Sequence, residues 1–406
     1  MKCANKGRAM ERRLRLVTLG VALTAGFGFL GGFVYAQSAD PFEQINKRFQ
    51  ERKSAGEDSL QSLQDQFQAK RAAMEEQWRK REMEIEQRWQ ERKREIEKKW
   101  AQAQRSTQRE WVDYSPGNDS RSIVNFEDGT VEIATLVPAA KPGRLSPEQL
   151  ASAQAEITRQ LEQILSEKAD AKRAILAGQM ATSKGKLVEP KTAKAFVQQE
   201  VLPNLVVDDK PTESRDGVSR VKMTATLKMT PDHLKKRAQQ YLETVQAESR
   251  RRQLDPRLVL AVIQTESYFN PKAESHIPAY GLMQLVPRSG ARDAYNFVYN
   301  DDKVLDDEYL FQPGQNVELG AAYLHLLMNK SFSDVQPGDK KNYLVICAYN
   351  WGPGNVRKRI MGPYRIQELS DSQVFALLSE KAPEETRNYL KRVTERMSLY
   401  EDLVGR

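Results

Sequence analysis

One carboxyl group in this chain, Glu266, sits where a carboxyl would keep its proton near neutral pH. It ends the apolar run Leu258-Val259-Leu260-Ala261-Val262-Ile263-Gln264-Thr265-Glu266-Ser267, just before Asn270-Pro271 turns the chain. Helical spacing sets it on the face of Val262 and Ile263, partly out of water, and at the negative end of the helix macrodipole. Both effects disfavour the carboxylate. A protonated carboxyl is what general-acid cleavage of a glycosidic bond needs.

Three further segments share its character, mixing polar side chains with Gly or Pro, or standing at a helix end. They are Tyr280-Gly281-Leu282-Met283-Gln284, Ala348-Tyr349-Asn350-Trp351-Gly352-Pro353-Gly354-Asn355-Val356 and Glu385-Thr386-Arg387-Asn388-Tyr389-Leu390. Gly281, Gly352 and Gly354 read as backbone necessities, for positive φ or close approach, and Met283 as core. The elements that must position these segments are helical. Asp255-Pro256 starts the helix carrying Glu266, and the spacing predicts helices over Val317–Asn329, Asn342–Asn350, Asp371–Lys381 and Glu384–Leu403. No strand is expected beyond Tyr241.

Together with the run Glu266-Ser267-Tyr268-Phe269-Asn270-Pro271-Lys272-Ala273-Glu274-Ser275, the four motifs in order resemble the soluble-lytic-transglycosylase type of catalytic domain, a lysozyme-like α fold related to goose-type lysozyme. The resemblance covers about residues 240–406. It implies cleavage of the β-1,4 bond between N-acetylmuramic acid and N-acetylglucosamine, with the muramoyl C6 hydroxyl as nucleophile and a 1,6-anhydro product. Glu266 would serve as acid and then base, in a substrate-assisted exception to the two-carboxylate rule. By motif position Ser275 would orient the acetamido group and Gln284 and Tyr349 would line the sugar cleft. Asn350 would hold the turn or touch substrate, and Glu385 would bind or orient. No metal or cofactor is implied. His276 is read as an exposed loop histidine.

Upstream, Asn125-Phe126-Glu127-Asp128-Gly129-Thr130 between two alternating apolar runs signals a hairpin. A helix is expected from Ser146, and a strand over Val218–Met229 after the Asp216-Gly217 turn. These give a small α+β unit over 112–230, similar to the accessory domain of the C-type membrane-bound lytic murein transglycosylases, so that the resemblance extends over about 110–406. Before it, residues 42–110 hold no proline and only Gly56. Phe67, Trp78, Trp89, Trp100 and Trp111 stand eleven apart, as do Leu63, Met74, Ile85 and Ile96. A period of eleven residues keeps such a stripe on one side of a long charged helix over 42–111, with the continuous helix expected from about 58 to 110. The stripe suggests self-association through 60–111, against the alternative of a plain spacer.

Arg8, Arg12, Arg13 and Arg15 precede the 21-residue apolar run Leu16–Ala36, which reads as an export signal over 1–36 or an uncleaved membrane anchor over 16–36. The expected fold class is α+β overall, in a chain whose mean hydropathy of −0.67 requires a large polar stretch beside its apolar units. A net charge of +8 fits nucleic acid, anionic lipid or an acidic polymer; export disfavours nucleic acid and leaves peptidoglycan glycan strands as the expected partner, in the periplasm. Cys347, in an apolar run, reads as a small buried hydrophobe, and His233, His276 and His325 lack metal-ligand spacing. Two other functions stay open at this stage. One is a lysozyme-type hydrolase; the other is a non-catalytic wall-binding scaffold organised by the helix.

Overall fold

The structure is a computed structural model that describes residues 41–138, 145–166, 175–276 and 278–405. The expected signal over 1–36 lies outside them. Among the described residues no helix is long and apolar enough to cross a membrane.

Helix α1 runs from Pro41 to Ile96. Its composition of Glu, Gln, Lys and Arg favours helix intrinsically, and pairs such as Glu76–Lys80 and Arg81–Glu84 add small increments. Residues up to Phe67 form one unit, in which Phe49, Leu60, Leu63 and Phe67 are each about 60% exposed. A second compact unit extends from Gln68 to Arg406. Within it the stripe is covered by the chain itself, since Trp78, Ile85 and Ile96 are at most 5% exposed. Lys70 pairs with Asp302 at 3.0 Å and Arg88 with Glu308 at 3.2 Å on the flank of that contact.

The helix is shorter than the repeat. It stops at Ile96, whereas the eleven-residue register continues through Trp100 and Trp111. Trp100 lies in a turn, where its indole N–H donates to the Asn118 carbonyl at 2.7 Å, and Trp111 lies on a strand at 2% exposure. The end of the helix is set by this packing. Ile96, Trp100 and Ala103 form a small core with Ala134 and Leu136 of the sheet, which a continuing helix would carry away from it. The tryptophans expected to pair between molecules are thus largely spent within one.

The sheet follows. Strands β1 (Glu110–Tyr114), β2 (Ser120–Asn125) and β3 (Thr130–Pro138) form an antiparallel meander. Gly129, with φ of 64°, closes the expected hairpin. Helices α2 (Pro147–Leu165) and α3 (Pro190–Phe196) come next, then the short strands β4 (Val206–Val207) and β5 (Thr212–Glu213), and the long β6 (Ser219–Lys228). The order is β1-β2-β3-β6-β4, with β5 also on β6. Ser146 caps α2 in a reciprocal box with Gln149, and Ile157, Leu161, Ile164 and Leu165 bury its apolar face against the sheet.

All later elements are helices: α4 (His233–Arg252), α5 (Pro256–Ser267), α6 (Gly290–Tyr299), α7 (Asp307–Leu310), α8 (Pro313–Leu326), α9 (Asp339–Trp351), α10 (Pro353–Val356), α11 (Asp371–Lys381), α12 (Glu384–Ser398) and α13 (Glu401–Val404). Among the described residues they confirm a strand-free C-terminal region, although α6 was not anticipated. Ile85 of α1 belongs to their core. Arg237 of α4, wholly buried, joins this core to the sheet layer. Its guanidinium donates to the Ile175 and Phe269 carbonyls and lies 3.6 Å from the Phe126 ring centroid.

Candidate active site

Helix α5 begins as its sequence dictates, with Pro256 in the first turn and Asp255 accepting from the Arg257 N–H. From Leu258 to Gln264 every residue is buried. Such a helix, apolar on all sides, belongs inside, and it packs against α4 and α12. It ends because Tyr268 and Phe269 are both left-handed, with φ of 49° and 62°. Glu266 therefore projects from the last turn of a core helix while keeping some surface open to solvent. Burial raises its pKa to about 7; the Tyr389 hydroxyl and the Arg392 charge oppose that rise, and the Glu385 carboxylate adds to it. Glu274, on the loop that follows, is the other carboxyl that burial raises to about 7, with Arg105 opposing the rise.

Two tyrosines face this carboxyl. Tyr389, on α12, is buried close enough to Glu266 for the two groups to shift each other's pKa, and its hydroxyl makes no hydrogen bond of ordinary geometry among the described residues. Tyr349, on α9, has its hydroxyl pKa pushed well up by burial and by the Glu266 charge, and it donates to the Met283 carbonyl at 2.7 Å. Asn350 follows on the same helix. Its amide donates to Glu385 at 3.3 Å and its carbonyl accepts from the Thr386 hydroxyl at 2.7 Å, which fastens α9 to the start of α12. Sequence reasoning quoted Tyr389 without assigning it. The available signal was its position four residues after Glu385, on one face of α12. Because its hydroxyl stabilises the charged form of Glu266, Tyr389→Phe is expected to move the basic limb of the pH–rate profile upward. A loss in kcat of about tenfold should accompany the shift. A profile superimposable on that of the parent would contradict this contact.

The loop from Tyr268 to Leu285 carries the other expected residues. Ser267 donates from its hydroxyl to the Leu282 carbonyl at 2.7 Å, Gly281 N–H bonds the Ala273 carbonyl, and Tyr280 and Leu285 exchange two bonds. Asn316 of α8, fully buried, is the hub beneath: its carbonyl oxygen accepts from Met283 N–H, and its amide donates to the Tyr280 and Leu310 carbonyls. Gly281 has φ of 77° at this hub, and a Cβ there would overlap the Leu310 carbonyl and the Asn316 amide. Ser275 is half-buried, with its N–H bonded to the Ala279 carbonyl, and His276 beside it is exposed. Gln284, at 7% exposure, donates to the Ala273 and Gly281 carbonyls and accepts from Gln108, so both ends of its amide tie the loop together.

Other titratable groups have structural roles. The Cys347 thiol is fully buried, which pushes its pKa up to about 12 and removes it from nucleophilic chemistry. His233 and His325 each place a ring nitrogen on a backbone carbonyl.

Comparison with known proteins extends this picture. The Transglycosylase SLT domain matches residues 243–368, which include Glu266, Ser275, Gln284, Tyr349 and Asn350 and stop short of Glu385 and Tyr389. Membrane-bound lytic murein transglycosylase C of Salmonella arizonae is 30% identical over 298 residues, 71% of this chain and 81% of that protein. The protein of the same name from Klebsiella pneumoniae subsp. pneumoniae matches to the same extent. Among solved structures, the lytic transglycosylase Slt of Pseudomonas aeruginosa is 27% identical, covering 40% of this chain and 24% of that one, with a TM-score of 0.33. The murein transglycosylase C relatives span 71% of this chain and four fifths of their own length, and on that breadth of similarity this chain belongs to the lytic murein transglycosylases.

Proposed function

We propose that Glu266 is the single acid–base group of the lytic transglycosylase reaction in this chain. As the acid it protonates the glycosidic oxygen leaving from the β-1,4 bond between N-acetylmuramic acid and N-acetylglucosamine. As the resulting carboxylate it takes the proton of the muramoyl C6 hydroxyl while O6 closes on C1, which regenerates the acid and leaves a 1,6-anhydromuramoyl end. The observation that carries this reading is a carboxyl with pKa about 7, deep beside two tyrosines yet open to solvent on one side. Near neutral pH such a group is present in both forms, as one residue doing both jobs requires. Ser275 is assigned to the substrate acetamido group, and Tyr349, Asn350 and Glu385 to the walls of the glycan cleft. Gln284 lines the same cleft while its amide fixes the loop.

Residues 240–406 make up the catalytic domain in this reading, 112–230 an accessory domain and 42–111 a helical arm. The protein works on peptidoglycan in the periplasm, exported by residues 1–36 and held at the membrane when 16–36 is retained. Self-association is confined to the exposed apolar residues of the arm. Sedimentation should then give a dimer or larger species that Phe67→Glu dissociates, and a monomer at high concentration would remove this part of the reading.

The reaction is tested by incubating the protein with murein sacculi and identifying product termini by mass spectrometry. Anhydro ends are the expected result. Reducing ends would transfer the chain to the hydrolases, and binding without cleavage would make it a scaffold.

A further inference from the structure

The six residues Arg105 to Glu110, a strap that leads from the end of α1 into the first residue of β1, touch the catalytic loop at three separate points. Arg105 pairs through Nη2 with the Glu274 carboxylate at 2.7 Å, and its guanidinium lies 4.8 Å from the Trp89 ring centroid of α1. Its Nη1 stands 3.6 Å from Glu86, also on α1. The Thr107 and Glu110 carbonyls accept both amide hydrogens of Asn270, at 2.8 and 3.0 Å, and Asn270 is wholly buried. Gln108 donates to Gln284 at 3.3 Å.

These contacts bear on the part of the loop least able to hold itself. Tyr268, Phe269 and Gln284 all have positive φ without being glycine, a conformation that costs energy and persists only where the surroundings impose it. The strap meets the loop at Asn270, at Glu274 beside Ser275, and at Gln284. Arg105 is the charged contact among the three. Burial raises the Glu274 pKa to about 7, Arg105 is the cation that opposes the rise, and the Asp307 and Glu86 charges add to it. The guanidinium is fixed by its ring contact before it meets the carboxylate, so little freedom is lost in making the pair.

We propose that Arg105 is a positioning residue for the transglycosylase reaction: through Glu274, and together with the carbonyls of Thr107 and Glu110, it holds the 270–284 loop in its working conformation. This rests on the reading that the loop, through Ser275, presents substrate to Glu266. The charged helix thereby becomes a brace of the catalytic loop, with Trp89 and Glu86 seating the arginine.

The test uses the full chain with Arg105→Ala, Arg105→Lys, Glu274→Gln and the double variant Arg105→Ala/Glu274→Gln. Arg105→Ala should lower kcat on sacculi by about tenfold, the scale expected for small misplacements of substrate-orienting groups, and leave KM within about twofold. Hydrogen exchange should quicken in residues 270–284 and stay unchanged in α8 and α9. Arg105→Lys keeps the charge without the planar fork and should recover part of the loss, and the double variant should fall no lower than Arg105→Ala, because the two residues act as one unit. Unchanged exchange in 270–284, or additive losses in the double variant, would overturn the proposal. Loop exchange needs no turnover. If Glu266→Gln remained active, the catalytic reading would fall while the exchange result still decided whether Arg105 braces the loop.

Discussion

Glu266→Gln is expected to abolish formation of anhydro ends, with kcat falling by about 10³–10⁴-fold, the upper range of what one acid–base group contributes, because this group acts in both steps. The amide keeps the shape and loses the proton. The same substitution should stabilise the fold in alkali, and the sign follows from linkage. A carboxyl with pKa near 4.5 when unfolded and about 7 when folded holds its proton in the native state through a window where the unfolded chain has released it. The native state therefore binds more protons between about pH 4.5 and 7, and parent stability declines as pH rises through that window. The glutamine variant loses this contribution, while Glu274, likewise pushed up to about 7, contributes equally to the decline of both proteins. At pH 8 it should exceed the parent by about 2 kcal/mol, a figure below the full conversion of the shift because Glu266 keeps some solvent contact; below pH 4.5 the two should coincide. Urea denaturation at pH 4 and pH 8 reads this difference. The parent's kcat/KM should also fall about tenfold per pH unit above 7, since the acid form starts the reaction. A variant that turns over normally, or a stability difference independent of pH, would remove Glu266 from its role.

Gly281→Ala should be the most damaging conservative change to the fold, at about 4 kcal/mol. Two penalties coincide there. The φ of 77° is unfavourable for any residue with a Cβ, and the added carbon would overlap the Leu310 carbonyl and the Asn316 amide. Neither neighbour is the free end of a side chain. One is backbone and the other is fixed by three hydrogen bonds, so relief requires breaking the hub that joins Met283, Tyr280 and Leu310. A midpoint lowered by about 10 °C is expected in thermal unfolding. Gly314→Ala is the matched control: nothing lies within 4 Å of its added carbon, and its midpoint should stay within about 2 °C of the parent. Similar midpoints for the two variants would show that the hub does not limit stability.

Local chemistry was legible from the sequence and distant partnership was not. Glu266 could be read because its burial and helix-end position are both properties of the ten residues around it. The Asp128-Gly129 hairpin and the Ser146 cap were legible for the same reason. The partners of Gln284 were not legible, because two are carbonyls of its own loop and the third, Gln108, stands 176 residues earlier. The eleven-residue spacing marked a buried stripe but not its length. A period says which side chains share a face of a helix, and Trp100 and Trp111 keep the count after the helix has ended. The fully buried residues of α6 are only Gly290, Ala291 and Ala294, and its larger apolar residues Tyr295 and Val298 pack on the core while partly exposed.

The docking of α1 also bears on how the chain is made. Trp78, Ile85 and Arg88 leave the ribosome early, while the segment that receives Arg88, Asp307 and Glu308, lies about 220 positions later. Until that segment is present, the chain has nothing to cover the apolar side of the stripe. Closing so long a loop is slow, and the exposed side invites association with other chains in the meantime. The cover for α1 is thus supplied by residues that the ribosome adds about 220 positions after it.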